Sequence, residues 1–249
     1  MNKFCALILV FATIICFSSF TEAKEYDGLF FMGLNLHKDV FNDKNVRYAI
    51  NYAIDRKFIA KDIVSEEVIP TGVISPGMSG YEPTFEGFFY NPKKAKKLLK
   101  KPLNIELVLL HTDGVKTIRI AEKIVKDLKA LGIKVKTKQV DYSDQDKWEN
   151  ELRSGRHHLF LMGYKAGFIG TSDEATAEVE TYDLMAPLFT SDGSANFTYY
   201  DNQRVDNLLG QVAATDKAVR GLRDAKLSEA NRIIMKDAPT VNLFYIPKL

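Results

Sequence analysis

Residues 103–140 constrain the fold more than any other stretch, because they alternate strand, helix and strand. Leu103 to Leu110 is an apolar run of strand length. Residues 116–131 repeat at helical spacing, with Ile118, Ala121, Ile124, Val125 and Leu128 inward and charges outward. Gly132 supplies a left-handed helix cap. Ile133 to Val140 sets Ile, Val and Thr against Lys134, Lys136 and Lys138, so one strand face is wet, as at a sheet edge. Strand–helix–strand alternation implies an α/β chain with a mostly parallel sheet flanked by helices.

The flanking sequence extends this pattern. Gly28 to Leu36 is apolar and long enough for one buried strand. In FNDKNVRYAINYAIDR (Phe41 to Arg56), Asn42 and Asp43 offer side-chain oxygens to a first helical turn. Val46, Ala49, Ile50, Ala53 and Ile54 then form an apolar stripe. After Asp55-Arg56, Phe58, Ile59 and Ile63 begin a second stripe. Val68 to Phe89, rich in Gly and Pro, reads as an ordered loop. Asn91-Pro92 opens another helix. Its six lysines read as a solvated face rather than a basic patch for an anionic partner. Ser143 to Arg153 is helical around Trp148 and Leu152, and His158 to Tyr164 is a buried strand. Lys165 to Glu180 has no clean period and reads as a loop. Residues 203–213 and 217–237 are helical, and Thr240 to Ile246 is a last strand.

Residues 1–23 read as a signal peptide. Lys3 is the positive head, Ala6 to Phe17 the apolar run, and Thr21-Glu22-Ala23 the cleavage sequence. A membrane span needs roughly 20 apolar residues, so cleavage and export to a periplasm or the cell exterior are expected rather than an anchor. Thr13-Ile14-Ile15 before Cys16 is a poor lipidation sequence. Both cysteines, Cys5 and Cys16, fall in this segment, so residues 24–249 must stand on a hydrophobic core without disulfides, as a single lobe. The net charge of +2 gives no strong electrostatic claim on nucleic acid.

Enzymatic motifs are missing: no phosphate-binding loop, no glycine-rich dinucleotide turn, no nucleophile elbow, no HExxH. His157 and His158 are neighbours that a strand would point to opposite faces, so they cannot share a metal. They, His37 and His111 read as hydrogen-bonded or surface histidines. No catalytic residue, metal or cofactor is expected; the chain reads as a non-enzyme.

Three segments together resemble the solute-binding proteins of peptide and nickel ABC importers, the oligopeptide/dipeptide-binding family. They are VRYAINYAIDR (Val46 to Arg56), the pair AEKIVKDLKALGIKV and LFLMGYKAG (Ala121 to Val135, Leu159 to Gly167), and the end segment from Asn196 to Pro247. Order and spacing agree over nearly all of residues 28–247. The resemblance implies the second lobe of a two-lobed, type II periplasmic binding protein, with the first lobe missing. Phe30 to Leu36 and Thr240 to Ile246 would be the crossover strands about which such lobes close.

The resemblance also implies where ligand sits. In peptide-binding members the strand like Leu159–Tyr164 ends in Gly-Trp, with an acidic residue three positions on that pairs the peptide amino terminus. Here the aromatic is Tyr164 and the acidic position is Gly167, so that charge-paired contact is absent. Tyr164, Lys165, Gly167, Phe168 and Asp173 are expected to line the cleft, with Asn35 near the hinge. The expected ligand is a small solute or short peptide, and the expected partner an ABC permease. A separately encoded first-lobe chain or a homodimer would complete the cleft. The alternative is an interaction or scaffold protein built from an orphan lobe that pairs with another chain without transport.

Overall fold

The computed structural model describes residues 24–166 and 180–248. The expected signal peptide lies outside them. In chain order the elements are β1 (Tyr26–Leu34), α1 (Lys44–Ala53), α2 (Arg56–Phe58) running into a π-helical turn (Ile59–Val64), and α3 (Pro92–Leu98). Then come β2 (Glu106–Thr112), α4 (Val115–Ala130), β3 (Lys134–Val140), α5 (Gln145–Arg153) and β4 (Leu159–Lys165). The last are α6 (Thr181–Phe189), α7 (Gln203–Ala214), α8 (Arg220–Asp237) and β5 (Thr240–Pro247).

Five strands form one sheet in the order β3-β2-β4-β1-β5. β2 pairs in parallel with β3 and β4, while β1 runs antiparallel to both β4 and β5. The sheet is therefore mixed: four strands share one direction, and β1 runs reversed between two of them. Parallel strands need a long crossover: α4 lies in the one from β2 to its neighbour β3, and α5 in the one from β3 to β4 on the other side of β2.

Alternation along each strand feeds two cores. Leu29 and Phe31 of β1, with Leu110 and Phe160, pack against Leu184, Leu209 and Ile234 of α6, α7 and α8. Met32 and Leu34, with Leu109 and Leu161, pack against Ile50 of α1 and Ile120, Ile124 and Leu128 of α4. Helices thus cover both faces. The β1–β5 register shifts twice, once between Tyr26 and Gly28 and once between Phe30 and Phe31. Phe30 faces Phe244 and Phe31 faces Asn242, which leaves Leu243 as an extra residue on β5. This bulge lets Val241, Leu243 and Phe244 all serve the α1/α4 side before Tyr245 crosses to the other.

Local expectations hold with small corrections. Asp43, not Asn42, caps α1, accepting from Asn45 N at 2.8 Å. Asn91 caps α3 by accepting from Lys94 N at 2.9 Å, and Gly132 takes φ +86°. In α4 the fully buried positions are Ile120, Ala121, Ile124 and Leu128; Ile118 and Val125 sit at the margin. Helix α6, which holds Pro187 in its interior, adds to the expected elements.

The YAIDR run does its work through buried polar groups. Arg56, 3 % exposed, donates from Nε to Asn242 O (2.8 Å) and from its two terminal nitrogens to Asn51 O (2.8 Å) and Asn51 Oδ1 (2.6 Å). Asn51 Nδ2 in turn donates to Thr240 O at 3.1 Å. Every one of these acceptors is uncharged, and burial lowers the Arg56 guanidinium to about 10. The pair ties the end of α1 to alternate carbonyls of β5. Arg56→Ala would leave three buried oxygens without a donor. Urea denaturation should show a loss of about 2–4 kcal/mol, whereas Lys57→Ala beside it should cost under about 0.5 kcal/mol.

Candidate ligand site at the crossover end

The N-terminus of β1, the C-terminus of β4 and the C-terminus of β5 meet at one end of the sheet. Gly28 lies opposite Lys165 on one side and Ile246 on the other, and Tyr26 opposite Pro247. Beyond the strands, Ala166 N donates to Asp27 O (2.8 Å) and Lys248 N to Glu25 O (3.0 Å). The approach is close enough to demand glycine: a Cβ on Gly28 would stand 2.6 Å from Tyr164 O.

Two of the expected site residues fall here. Tyr164 is buried at the end of β4, and that burial, with Asp183 nearby, raises its hydroxyl above the usual tyrosine value. Lys165 Nζ pairs with Asp27 Oδ2 at 3.1 Å and also donates to Pro247 O at 3.4 Å. Asp27 is 7 % exposed, and its Oδ1 has no partner among the described residues. Glu25, Tyr26, Asp27, Pro76, Ser79 and Lys248 are among the residues lining a cavity of about 260 Å³. Ser79 is shared with a second cavity of about 220 Å³ that reaches Glu180, Lys217 and Arg223. Glu180 accepts there from Lys217 (2.9 Å) and Arg223 (2.6 Å). Burial, then the neighbouring Glu180, pushes the Asp183 carboxyl above its ordinary range. This end of the sheet is therefore a rim of paired and half-paired charges around a buried aromatic and apolar floor.

Gly167, Phe168 and Asp173 lie outside the described residues. Asn35 is not brought together with Tyr164 and Lys165. The register sets Leu34 against Leu159 and Gly28 against Lys165, so Asn35 stands at the opposite end of the sheet. Its side chain is occupied: Nδ2 donates to Gly155 O (3.1 Å) and His157 O (3.0 Å), and Oδ1 accepts from His37 N (3.1 Å). The fully buried amide pins the turn between α5 and β4, a supporting task.

The histidines divide. His158 Nδ1 accepts from Val108 N at 3.2 Å, and His37 stacks on Tyr199 with centroids 4.1 Å apart. His157 is not a surface group: it is 3 % exposed and edge-on to Phe160. Among the described residues no cluster of three or more His, Cys, Asp or Glu side chains could hold a metal.

Asp27, Glu180 and Arg223 were not readable as site residues. Asp27 offered one faint signal, a carboxylate directly before an apolar strand run, which in sequence is indistinguishable from a strand flank.

Residues 18–177 match the family model described as bacterial extracellular solute-binding proteins, family 5 Middle. The chain belongs to this family. The glutathione-binding protein GsiB of Escherichia coli K12 is 27 % identical over 228 residues, covering 86 % of this chain and 41 % of that protein. Among solved structures, HbpA2 from Haemophilus parasuis aligns with TM-score 0.79 and 21 % identity, over 90 % of this chain and 44 % of its own. The periplasmic binding protein DppA from Helicobacter pylori, solved with the peptide STSA, aligns with TM-score 0.74 and 24 % identity, over 90 % and 42 %. The structures establish the fold. The chain spans about two fifths of the length of the relatives it matches.

Burial lowers the His157 imidazole to about 4 from its usual 6.5. A depressed basic group costs stability once the unfolded chain protonates it and the folded chain does not. Stability should therefore fall as pH drops from about 6.5 toward 4, by up to about 3 kcal/mol. Denaturation of wild type and His157→Phe across this window checks it. The two curves should converge at pH 7 and part below 6, with the variant's slope the shallower.

Proposed function

We propose that the chain is the extracytoplasmic solute-binding component of a peptide-type ABC importer, carrying ligand to a permease without chemistry of its own. Family membership carries the reading, and the charged rim beside Tyr164 and Lys165 supports it. Tyr164 and Lys165 form the floor on this side, with Gly167, Phe168 and Asp173 following in the chain, while Asn35 supports the sheet from its far end. GsiB binds glutathione and the Helicobacter DppA binds a tetrapeptide, by their names. Short peptides with a free amino end, glutathione included, are the ligand class that we assign. Export by the segment 1–23 would bring the chain to such ligands.

A good site buries most of its ligand, so a facing surface from a second lobe or a second chain belongs to this reading. The coverage of about two fifths of the relatives' length favours a second reading to be tested with it. In that reading the charged rim around Asp27, Lys165 and Glu180 is a docking face for another chain and binds no solute.

Thermal unfolding with and without ligand separates the two. At a concentration about a hundredfold above Kd, binding adds about 2.7 kcal/mol, a rise of roughly 5–10 °C for a domain of this size. Glutathione or tri-alanine should produce such a rise, in the chain alone or in complex with a first-lobe partner identified by light scattering. A flat response to both ligands from a complexed chain would leave only the docking reading; a flat response from a monomer sinks both.

A further inference from the structure

Three of the four exposed aromatic side chains among the described residues gather on one surface: Phe58, Phe89 and Tyr90, which are 41 %, 59 % and 47 % exposed. Shared cations tie them together. Lys123 Nζ lies 5.2 Å from the Phe58 ring centroid and 6.0 Å from that of Tyr90. Lys94 Nζ lies 4.0 Å from the Tyr52 centroid and 5.9 Å from that of Phe89, and Phe89 stands edge-on to Tyr52 at 5.7 Å. Asn91 N donates to Tyr52 O at 2.8 Å, which holds residues 89–91 against α1. Phe89 and Tyr90 also line a cavity of about 490 Å³ with Lys57, Ile69, Pro70 and Phe88, and Glu86 is the single carboxylate in its lining. This cavity shares no residue with the two at the crossover end.

Exposed apolar surface of this kind marks a place where something docks, and the charge beside it says what. Residues 89–101 hold six lysines and no carboxylate, and all six lysines are exposed. The whole chain is only +2, so everything outside this stretch is net negative. In α3, Ala95 and Leu98 turn to the core beside α1, which leaves Lys93, Lys96 and Lys97 on one outward face. Neighbouring Lys61 pairs with Glu67, and Lys123 with Asp55 and Asp127, whereas none of the six pairs with a carboxylate among the described residues. A soluble polyanion would satisfy these lysines and leave the rings in water. A bilayer interface takes both, seating aromatic rings at the headgroup level while lysine stems lie alongside and their ammonium groups meet phosphates. A cluster of about four to eight lysines is enough to hold a chain at such a surface.

We propose that Phe58, Phe89 and Tyr90, with the lysines of residues 93–101, form a docking face for an anionic lipid bilayer. This goes beyond solute binding and does not rest on it, because no solute takes part in the contact.

Residues 24–248 contain every described element and both cores, so the chain beginning at Lys24 is the form to test, free of the apolar run Ala6 to Phe17. Vesicles of equal parts phosphatidylglycerol and phosphatidylcholine should carry it upward in flotation at low salt, and vesicles of phosphatidylcholine alone should not. Salt at about 0.5 M, where the screening length is only about 4 Å, should release it. Each lysine at an anionic surface is worth roughly fivefold, so Lys93→Gln, Lys96→Gln and Lys97→Gln together should weaken binding at least about tenfold. Phe89→Ser with Tyr90→Ser should weaken it at least about fivefold. Lys134→Gln, Lys136→Gln and Lys138→Gln on β3 remove the same charge and should stay within about threefold of wild type. If the aromatic variant fails to fold, the two lysine variants decide alone. Equal weakening by the two lysine variants overturns the proposal, as does a folded aromatic variant that binds like wild type. Equal binding to both kinds of vesicle, binding to neither, or capture by soluble polyphosphate while vesicles are ignored overturns it too. With no peptide present, each of these results leaves the solute-binding reading untouched.

Discussion

The two-sided pairing of β1 is the constraint on which the rest depends. It is the only strand reversed against the others in the described sheet, and it joins β4 on one side to β5 on the other. Its side chains supply both cores, Leu29 and Phe31 to one face, Met32 and Leu34 to the other. Gly33 admits the Phe160 ring so closely that a Cβ would overlap it at 2.2 Å. Each face of helices therefore closes over the same nine residues. Displacing β1 would separate β5 from the sheet and open both cores together, which predicts cooperative rather than piecemeal unfolding.

That arrangement also explains why the candidate site sits where it does. β1 begins and β5 ends where β4 finishes, so backbone from three strands is fixed around Asp27 and Lys165. Polar groups held by strand ends and by a glycine-permitted close approach lose little freedom on meeting a ligand. The charged rim of Glu180, Lys217 and Arg223 reaches the same end through Ser79.

Much of the fold was legible because its signals are periodic. The lysines of β3, the stripe of α4 and the caps at Asn91 and Gly132 each act within a few residues, and each was recovered. What escaped depends on pairs distant in sequence. The bulge at Leu243 exists only through its register with Phe30 and Phe31, and α6 hides behind Pro187 and an absence of charged face. Family resemblance pointed to Tyr164 and Lys165 through the strand that carries them. It could not point to Asp27, whose partner lies 138 positions away and whose open oxygen is a property of the packed sheet. Asn35 shows the converse: its buried amide donates twice to the turn between α5 and β4 and accepts from His37 N, partners that the packed sheet supplies and the sequence does not reveal.

The hydrogen bonds of Asn51 and Arg56 have a consequence for how the molecule meets its own kind. β5 is the outer strand of the sheet, and an outer strand ordinarily presents a ladder of free carbonyls to any extended chain that passes. Thr240 O and Asn242 O, alternate rungs of that ladder, are already taken by side chains from α1 and α2. At the opposite margin β3 carries Lys134, Lys136 and Lys138. One border is occupied and the other repels, so the sheet has a fixed width of five strands. Both margins thus discourage the strand-on-strand stacking that would extend the sheet from one molecule to the next.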